Sequence, residues 1–365
     1  MINWEKFAKR PTLATIETYP TIVDILEDIL ESEGRVLSGR SPLSCTRDVL
    51  YEMEIPGRYV VMAESNTSDQ AVLMPTNREM FTFYRGENEI YDTCKPSLLR
   101  FTDEEKILLA RLQTEELRIV LNSHPVIKFI LNEKINPPVL LKGFFLKVQT
   151  DAIAQHYGIA TPFVDITNDK WVAAFFAISK KEKDEYRVVS PNNHADINSR
   201  CGSFYRLKNV DFFSSNAPIP IGMQYFNRPG KQSALLVNLN EIKDFLLYPN
   251  VERVYFRHDD RANQLVFDLC QQGKKYFPED SLVPIVEKLC TTRGFSSAAV
   301  EACNTKYYFG FSKPEMMKYM EKYHIECVDK PSVCFNQYDV DLEWMDWEKE
   351  GIQRYLNSLL VMPFY

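Results

Sequence analysis

Several familiar sources of chemistry are missing from this sequence. It contains no GxGxxG, Walker A, HExxH or GxSxG motif, so dinucleotide-fold, P-loop, zinc-protease and α/β-hydrolase readings have nothing to stand on. The eight cysteines include no CxxC pair. His324, Cys327 and Cys334 match no zinc spacing and lack a fourth ligand, so scattered reduced thiols and no metal are expected. The longest apolar run, 172–178, is too short to cross a bilayer. The first residues have neither an apolar core nor a small-residue cleavage site. No secretory signal is expected, and a cytoplasmic, membrane-free protein is. Positive charge is in short supply too: 43 Lys and Arg stand against 50 Asp and Glu, for a net charge of -7. A broad footprint for duplex DNA is excluded on that balance. No internal repeat is visible.

What is present is an ordinary globular composition, with 45% hydrophobic and 25% charged residues among 365. At roughly 150 residues per domain the length suggests about two domains. Helical periodicity marks 21–33, with Thr21 and Asp24 able to cap it and Gly34 able to end it. A second helix is expected from a capping box at Thr102 and Glu105 to about Leu121. A short helix is expected to end at Gly158, and an apolar one to span 169–180 behind Asn168 as its cap. Strands are expected at 58–64, 80–84, 186–190, 202–207, 233–238 and 252–257, and helices at 239–246, 263–271 and 280–290. Ser312 and Glu315 open a further capped helix, and 340–360 is acidic and aromatic. The class is therefore α+β: a mixed or antiparallel sheet core with flanking helices, followed by a mostly helical C-terminal region.

Three segments stand apart from routine scaffold. In Phe83-Tyr84-Arg85-Gly86-Glu87 an arginine ends an apolar strand and a glycine follows it. That places a guanidinium at a strand end, beside backbone that a ligand can approach closely. Either Arg85 forks onto a phosphate or carboxylate, or it pairs with a carboxylate of the core. The stretch 154–169 carries Gln155, His156, Tyr157, Thr161, Asp165 and Thr167 between two helices. His156 is a candidate general base, yet no Ser or Cys is placed as its nucleophile. The plainer alternative is a capped turn in which Asp165 or Thr167 serves the helix that follows. The third stretch, 227–237, is a Gly/Pro loop that runs into a strand and brings Arg228 and Gln232 to its mouth.

Together these segments resemble the FRG domain family, named for a Phe-Arg-Gly signature whose first letter is Tyr84 here, followed by Arg85 and Gly86. Residues 96–100 (PSLLR) resemble the family's P-S-L-x-R segment. Ala154-Gln155-His156-Tyr157-Gly158, Thr161, Asp165, Thr167 and the 174–177 stretch AFFA resemble its longest block almost letter for letter. Arg228 and Gln232 match its late R-x-x-x-Q element, and 277–282 resembles an FPxDxL segment of some members. The resemblance covers roughly 80–285. It implies an FRG domain over 61–295 and says little of the rest, which the sequence pattern reads as a helical lead-in at 1–60 and a helical appendage at 296–365. It also implies a bacterial or phage protein, with toxin or phage-defence roles conceivable.

The same layout is similar in outline to ADP-ribosyltransferases, in which a first strand carries Arg or His, a middle strand-to-helix segment carries Ser, Thr or Tyr, and a later strand carries Glu or Gln. That similarity implies NAD as substrate, no metal, and Arg85, His156 and Gln232 as catalytic residues. Tyr84, Gly86, Gln155, Tyr157, Thr161, Asp165, Thr167 and Arg228 would bind the nucleotide, with Tyr84 and Tyr157 sandwiching the nicotinamide. Gln232 cannot act as a base, so Asp165 or Glu87 would have to supply the missing carboxylate. The alternatives are a non-catalytic module that binds a nucleotide or a protein, and a nuclease or RNA-modifying effector using His156.

Overall fold

The computed structural model describes residues 18–38, 59–63, 70–75, 82–134, 143–182, 185–193, 200–208, 217–221, 224–308, 310–357 and 359–360. Its centre is a seven-stranded sheet. The strands are β1 (Thr18–Tyr19), β2 (Phe83–Glu87), β3 (Phe163–Thr167), β4 (Cys201–Leu207), β5 (Ile219–Pro220), β6 (Ala234–Asn238) and β7 (Val251–Arg257). Their spatial order is β1-β7-β4-β2-β3-β6-β5. Only β1 runs parallel to its neighbour, β7; every other pair in this sheet is antiparallel. The architecture is α+β, as the pattern of strands and helices predicts.

Alternation along β2 sorts its side chains onto two faces. Tyr84 shares a core with the apolar helix Lys170–Ile178 and with Phe204 and Phe256. Phe83 belongs to the opposite core, with Cys94, Tyr205, Val164, Ile166 and Leu235. Gly86 follows Tyr84 onto the helix face, and there it has a packing duty. A Cβ built on it would lie 1.9 Å from the Ala173 carbonyl oxygen and 2.8 Å from the Ala177 Cβ. The close approach that the sequence reserved for a ligand is filled by the helix backbone, and glycine is required for that reason.

Among the helices are α1 (Ile22–Ser38), α2 (Glu104–Ser123), α3 (Thr150–Tyr157), α4 (Lys170–Ile178), α5 (Asp260–Leu269), α6 (Leu282–Thr291), α7 (Ser297–Tyr307), α8 (Lys313–Glu321) and α9 (Gln337–Asp346), with shorter ones at Pro125–Asn132, Arg228–Lys231 and Ile352–Asn357. Helix α3 ends where expected, at Gly158 with φ 104°, a left-handed cap that costs glycine nothing. Ser312 and Glu315 form their reciprocal box, and Thr21 and Asp24 cap α1. Other boundaries move. Helix α1 passes through Gly34 to Ser38. Asp103, not Thr102, caps α2. Asp169, not Asn168, caps α4, since its side chain accepts from the Trp171 N–H.

No helix forms over 239–246. Lys243 sits at φ 63°, and only a 3-10 turn, Phe245–Leu247, follows. Asp244 holds that turn by accepting from both Leu246 N–H and the distant Cys94 N–H, a tertiary contact invisible to local periodicity. The strand expected at 80–84 lies at Phe83–Glu87, with 80–81 outside the described residues. The strand expected around 58–64 is Tyr59–Ala63, and it joins a separate four-stranded sheet with Leu359–Leu360, Gln70–Pro75 and Phe145–Leu146.

A third core is mostly helical. Leu112, Leu117 and Leu121 of α2, Ile153 of α3, and Leu282 and Leu289 of α6 pack with Phe295, Cys303, Met316 and Met320. The strand Gly294–Ser296 pairs in parallel with Glu326–Val328. Beyond it, Trp347 and Tyr355 bury themselves against Val126, Ile130, Phe144 and Leu146.

Candidate functional site

The main sheet is not evenly stitched. Strand β2 pairs with β4 over five residues, and β3 pairs with β6 over five. Between β2 and β3 a single register pair remains, Tyr84 opposite Thr167. The strands part beyond it, and a cleft of about 390 Å³ opens where they separate. Its size falls within the range of small-molecule sites. Residues from β2, α3, β3, α4 and the start of β6 line it, among them Tyr84, Arg85, Gly86, His156, Asp165, Thr167 and Gln232.

Arg85 bridges the parted strands. Its Nη1 donates to the Asp165 main-chain carbonyl at 2.8 Å, which satisfies an acceptor that the interrupted ladder leaves without a strand partner. Its Nη2 lies 3.5 Å from Glu87 Oε1, while the side chain is still one-fifth exposed. The internal pairing of this arginine is thus realised, and the residue also lines the cleft. Burial opposes the Arg85 charge, but its neighbours Cys94, Glu87, Asp165 and Tyr205 raise its pKa above the usual arginine value. Of these, Glu87 and Asp165 carry the charge that matters. Burial pushes the Cys94 thiol up to about 12 and the Tyr205 hydroxyl well above its ordinary value, so both stay neutral. Glu87 is spoken for, since its Oε2 accepts from the Tyr205 hydroxyl at 2.6 Å.

The second half of the site is a chain of side-chain contacts. Gln232, buried at the entrance of β6, donates through Nε2 to the Tyr276 carbonyl at 3.1 Å. A carbonyl only accepts, so this contact orients the amide and turns Oε1 toward His156 Nδ1, 2.9 Å away. His156 must therefore carry a proton on Nδ1, which leaves Nε2 to face the cleft side. Nε2 lies 3.5 Å from Asp165 Oδ1, and neither atom makes a hydrogen bond. Asp165 is held from its other side: Gln155 Nε2 donates to Oδ2 at 3.1 Å, and the Thr161 hydroxyl in turn donates to Gln155 Oε1. The carboxylate is fixed in orientation, one-third exposed, and has one oxygen free of hydrogen bonds.

Not every candidate reaches the cleft. Gln155 and Thr161 stand behind it as the brace of Asp165. Thr167 lines the cleft, and its hydroxyl donates to the Gln232 carbonyl and accepts from Asp169 N–H, so it joins β6 to the start of α4. That bond realises the capped-turn alternative for Thr167. Tyr157 and Arg228 lie outside the lining. The Tyr157 hydroxyl donates to Asp280, and the Arg228 guanidinium sits 4.2 Å from the Tyr157 ring and 5.6 Å from that of Phe277. The expected sandwich of Tyr84 and Tyr157 does not form: Tyr84 is 3% exposed and packs on Phe204, with ring centroids 5.8 Å apart. Beside Tyr84, the cleft is lined by Tyr91, Phe176 and Tyr186; none of the three was given a site role from the sequence, since in α4 and in a strand Phe176 and Tyr186 read as core.

The separate sequence segments prove to be one connected unit. Ser97 Oγ accepts from Thr161 N–H, and Leu98 N–H donates to the Thr161 carbonyl, so the 96–100 stretch docks on the 158–163 turn. Arg228 Nη1 donates to the His156 carbonyl, and Asp280 in the 277–282 stretch holds Tyr157. Among the described residues no group of three His, Cys, Asp or Glu side chains could hold a metal ion. No helix among them is long and apolar enough to cross a membrane.

Among curated proteins and among solved structures, none matches this chain. The sequence model of the FRG domain family does match, over residues 81–186, the stretch that supplies β2, α3, β3 and α4 around the cleft. Arg228, Gln232 and the 277–282 stretch lie beyond the matched residues. The chain carries an FRG domain, and the parting of β2 from β3 lies within it.

Proposed function

We propose that the cleft binds an NAD-like nucleotide and that the protein is an NAD-cleaving, ADP-ribosyltransferase-like enzyme. The observation that carries this reading is the convergence of Arg85 from β2, Asp165 from β3, His156 from the end of α3 and Gln232 from the turn before β6 on one cleft. The reaction breaks the bond between ribose C1′ and the nicotinamide nitrogen, and its electron pair leaves with nicotinamide. A water or an acceptor hydroxyl supplies the new bond to C1′ and loses a proton. Arg85, charged and aimed into the cleft, suits the pyrophosphate or ribose. Asp165 suits the developing positive charge on the ribose and the departing proton, since Glu87 is committed to Tyr205 and Gln232 has no basic atom. His156, behind Asp165 and oriented by Gln232, is the positioning residue.

A second reading is favoured by one observation. Gln232 is held at both ends, by Tyr276 and His156, where a transferase would want a free carboxylate. On that reading the cleft binds its nucleotide without turnover. Nicotinamide release from NAD separates the two, with a cell extract as acceptor source and wild type compared with Arg85→Ala and Asp165→Asn. Release by the wild type that falls at least about 100-fold in both variants is expected. A folded wild type that releases none sinks the enzymatic reading and leaves the binding module.

A further inference from the structure

The wall of the cleft opposite Asp165 is built by a small hairpin that no sequence segment singled out. Its strands, Ser179–Glu182 and Glu185–Val188, pair only with each other. Lys181 stands directly across from Tyr186, so both side chains project from one face of the hairpin, and both line the cleft together with Lys180 and Phe176 of α4.

Tyr186 is well supported for a ring-binding duty. One side of its ring is stacked on Phe277, with centroids 4.7 Å apart and planes 23° from parallel. Arg228 lies against Phe277 on one side and Tyr157 on the other, so the stack is backed by a half-buried cation. Phe176 meets Phe277 edge-on at 6.0 Å and completes the apolar wall. Burial raises the Tyr186 hydroxyl to about 12, so the ring stays neutral and presents an unionised π surface. Lys180 is partly engaged by Glu89 at 3.7 Å, which leaves Lys181 as the better placed cation beside the ring.

We propose that this hairpin is the ligand-selecting wall of the site: Tyr186 and Phe176 take a planar heteroaromatic ring while Lys181 takes the phosphate attached next to it. The chemical class selected is a base-bearing phosphate or pyrophosphate ester, in preference to a nucleoside or a bare polyphosphate. The inference rests on the cleft being a nucleotide site, but not on its being catalytic. An aromatic surface and a mobile ammonium set side by side recognise the two ends of such a ligand at once, and neither half alone gains both contacts.

The experiment is calorimetric titration of the full chain with NAD, AMP, adenosine and inorganic pyrophosphate, for wild type, Lys181→Glu, Tyr186→Phe and Tyr186→Ala. Melting temperatures of each variant report its fold. NAD and AMP are expected to bind at least tenfold tighter than adenosine or pyrophosphate. Lys181→Glu should weaken NAD and AMP at least tenfold while leaving adenosine unchanged. Tyr186→Phe should bind as wild type, and Tyr186→Ala should weaken NAD, AMP and adenosine alike. The proposal is overturned if the wild type binds none of the four probes, if pyrophosphate binds as tightly as NAD, or if the exposed-site variant Lys181→Glu keeps wild-type affinity. Tight NAD binding without nicotinamide release would sink the transferase reading and leave this one standing. Release that is indifferent to Lys181→Glu and Tyr186→Ala, with NAD affinity unchanged in both, would do the reverse.

Discussion

Two buried histidines in this protein face carboxylates, and they do opposite things. His124, at the junction of α2 and the helix Pro125–Asn132, is fully buried, and its Nε2 meets Glu343 of α9 at 2.8 Å. Tyr225 adds a second hydrogen bond to the same carboxylate oxygen at 3.1 Å, and rings of Tyr225, Phe226 and Phe335 enclose the imidazole. That contact is closed on its Nε2 side, although His124 Nδ1 has no hydrogen-bond partner, and it fastens α9 to the body. His156 and Asp165 use the same pair of residue types, yet stand 3.5 Å apart with facing atoms that make no hydrogen bond, at the edge of a cleft. A histidine and a carboxylate are a strut when the geometry is completed internally. They are a candidate site when the fold leaves the contact open and braces the carboxylate from behind, as Gln155 and Thr161 do here.

The largest effect should come from Gly86→Ala, which tests whether the cleft depends on α4 sitting flush on β2. The added methyl would overlap the Ala173 carbonyl, so a loss of about 4 kcal/mol or failure to fold is expected in chemical denaturation. Ordinary stability in that variant would remove the packing account of the signature glycine.

The two isosteric acid changes sharpen the contrast directly. Glu343→Gln should cost about 2 kcal/mol, because it weakens charge-assisted bonds to His124 and Tyr225, and should leave nucleotide affinity untouched. Asp165→Asn should cost about 1 kcal/mol or less, since the carboxylate is one-third exposed. That change should nevertheless abolish any nicotinamide release. Equal stability losses in the two variants would erase the distinction between strut and site.

The strut should also show in acid. Burial works against the Glu343 charge, but the hydrogen bonds from His124 and Tyr225 hold its pKa below the usual glutamate value. A depressed folded pKa contributes stability above the unfolded value and loses it as pH falls through the folded one. Wild type should therefore lose stability more steeply than Glu343→Gln below about pH 4.5. Parallel pH profiles would show that Glu343 contributes no such term.

The smallest change sets the scale away from both histidines. Asp259 caps α5 by accepting from Arg261 and Ala262 N–H groups. Asp259→Ala should cost about 1 kcal/mol in denaturant titration with no change in NAD affinity. A shift in affinity would mean that α5 is coupled to the cleft.

Much of the site was legible in the sequence because its spacing is local. The run from Gln155 to Thr167 is a helix end, a left-handed glycine and a strand, and within it Gln155, Thr161 and Asp165 bond to one another, while His156, Tyr157 and Thr167 bond outside it. The cap at Gly158 could be read for the same reason. The duty of Gly86 could not, because the atom that requires glycine belongs to residue 173. The internal partners of Arg85 could not be read either, because Glu87 and the Asp165 carbonyl of the parted neighbour strand are brought to it by the fold. Tyr186 and Lys181 went unnoticed since an aromatic and a lysine in alternation describe any half-exposed strand. The helix expected over 239–246 failed for a related reason: Asp244 is fixed by Cys94, 150 residues away.

The sequence by itself determined which polar residues would be gathered, their order along the chain, and the caps and turns that a few neighbouring residues decide. Those depend on backbone geometry and hydrogen bonds that span only a few positions. The tertiary structure alone decided which of them face the cleft, which brace it from behind, and which carboxylate is left free. Those outcomes depend on where two strands part and on atoms brought together from distant parts of the chain, and no local spacing encodes such distances.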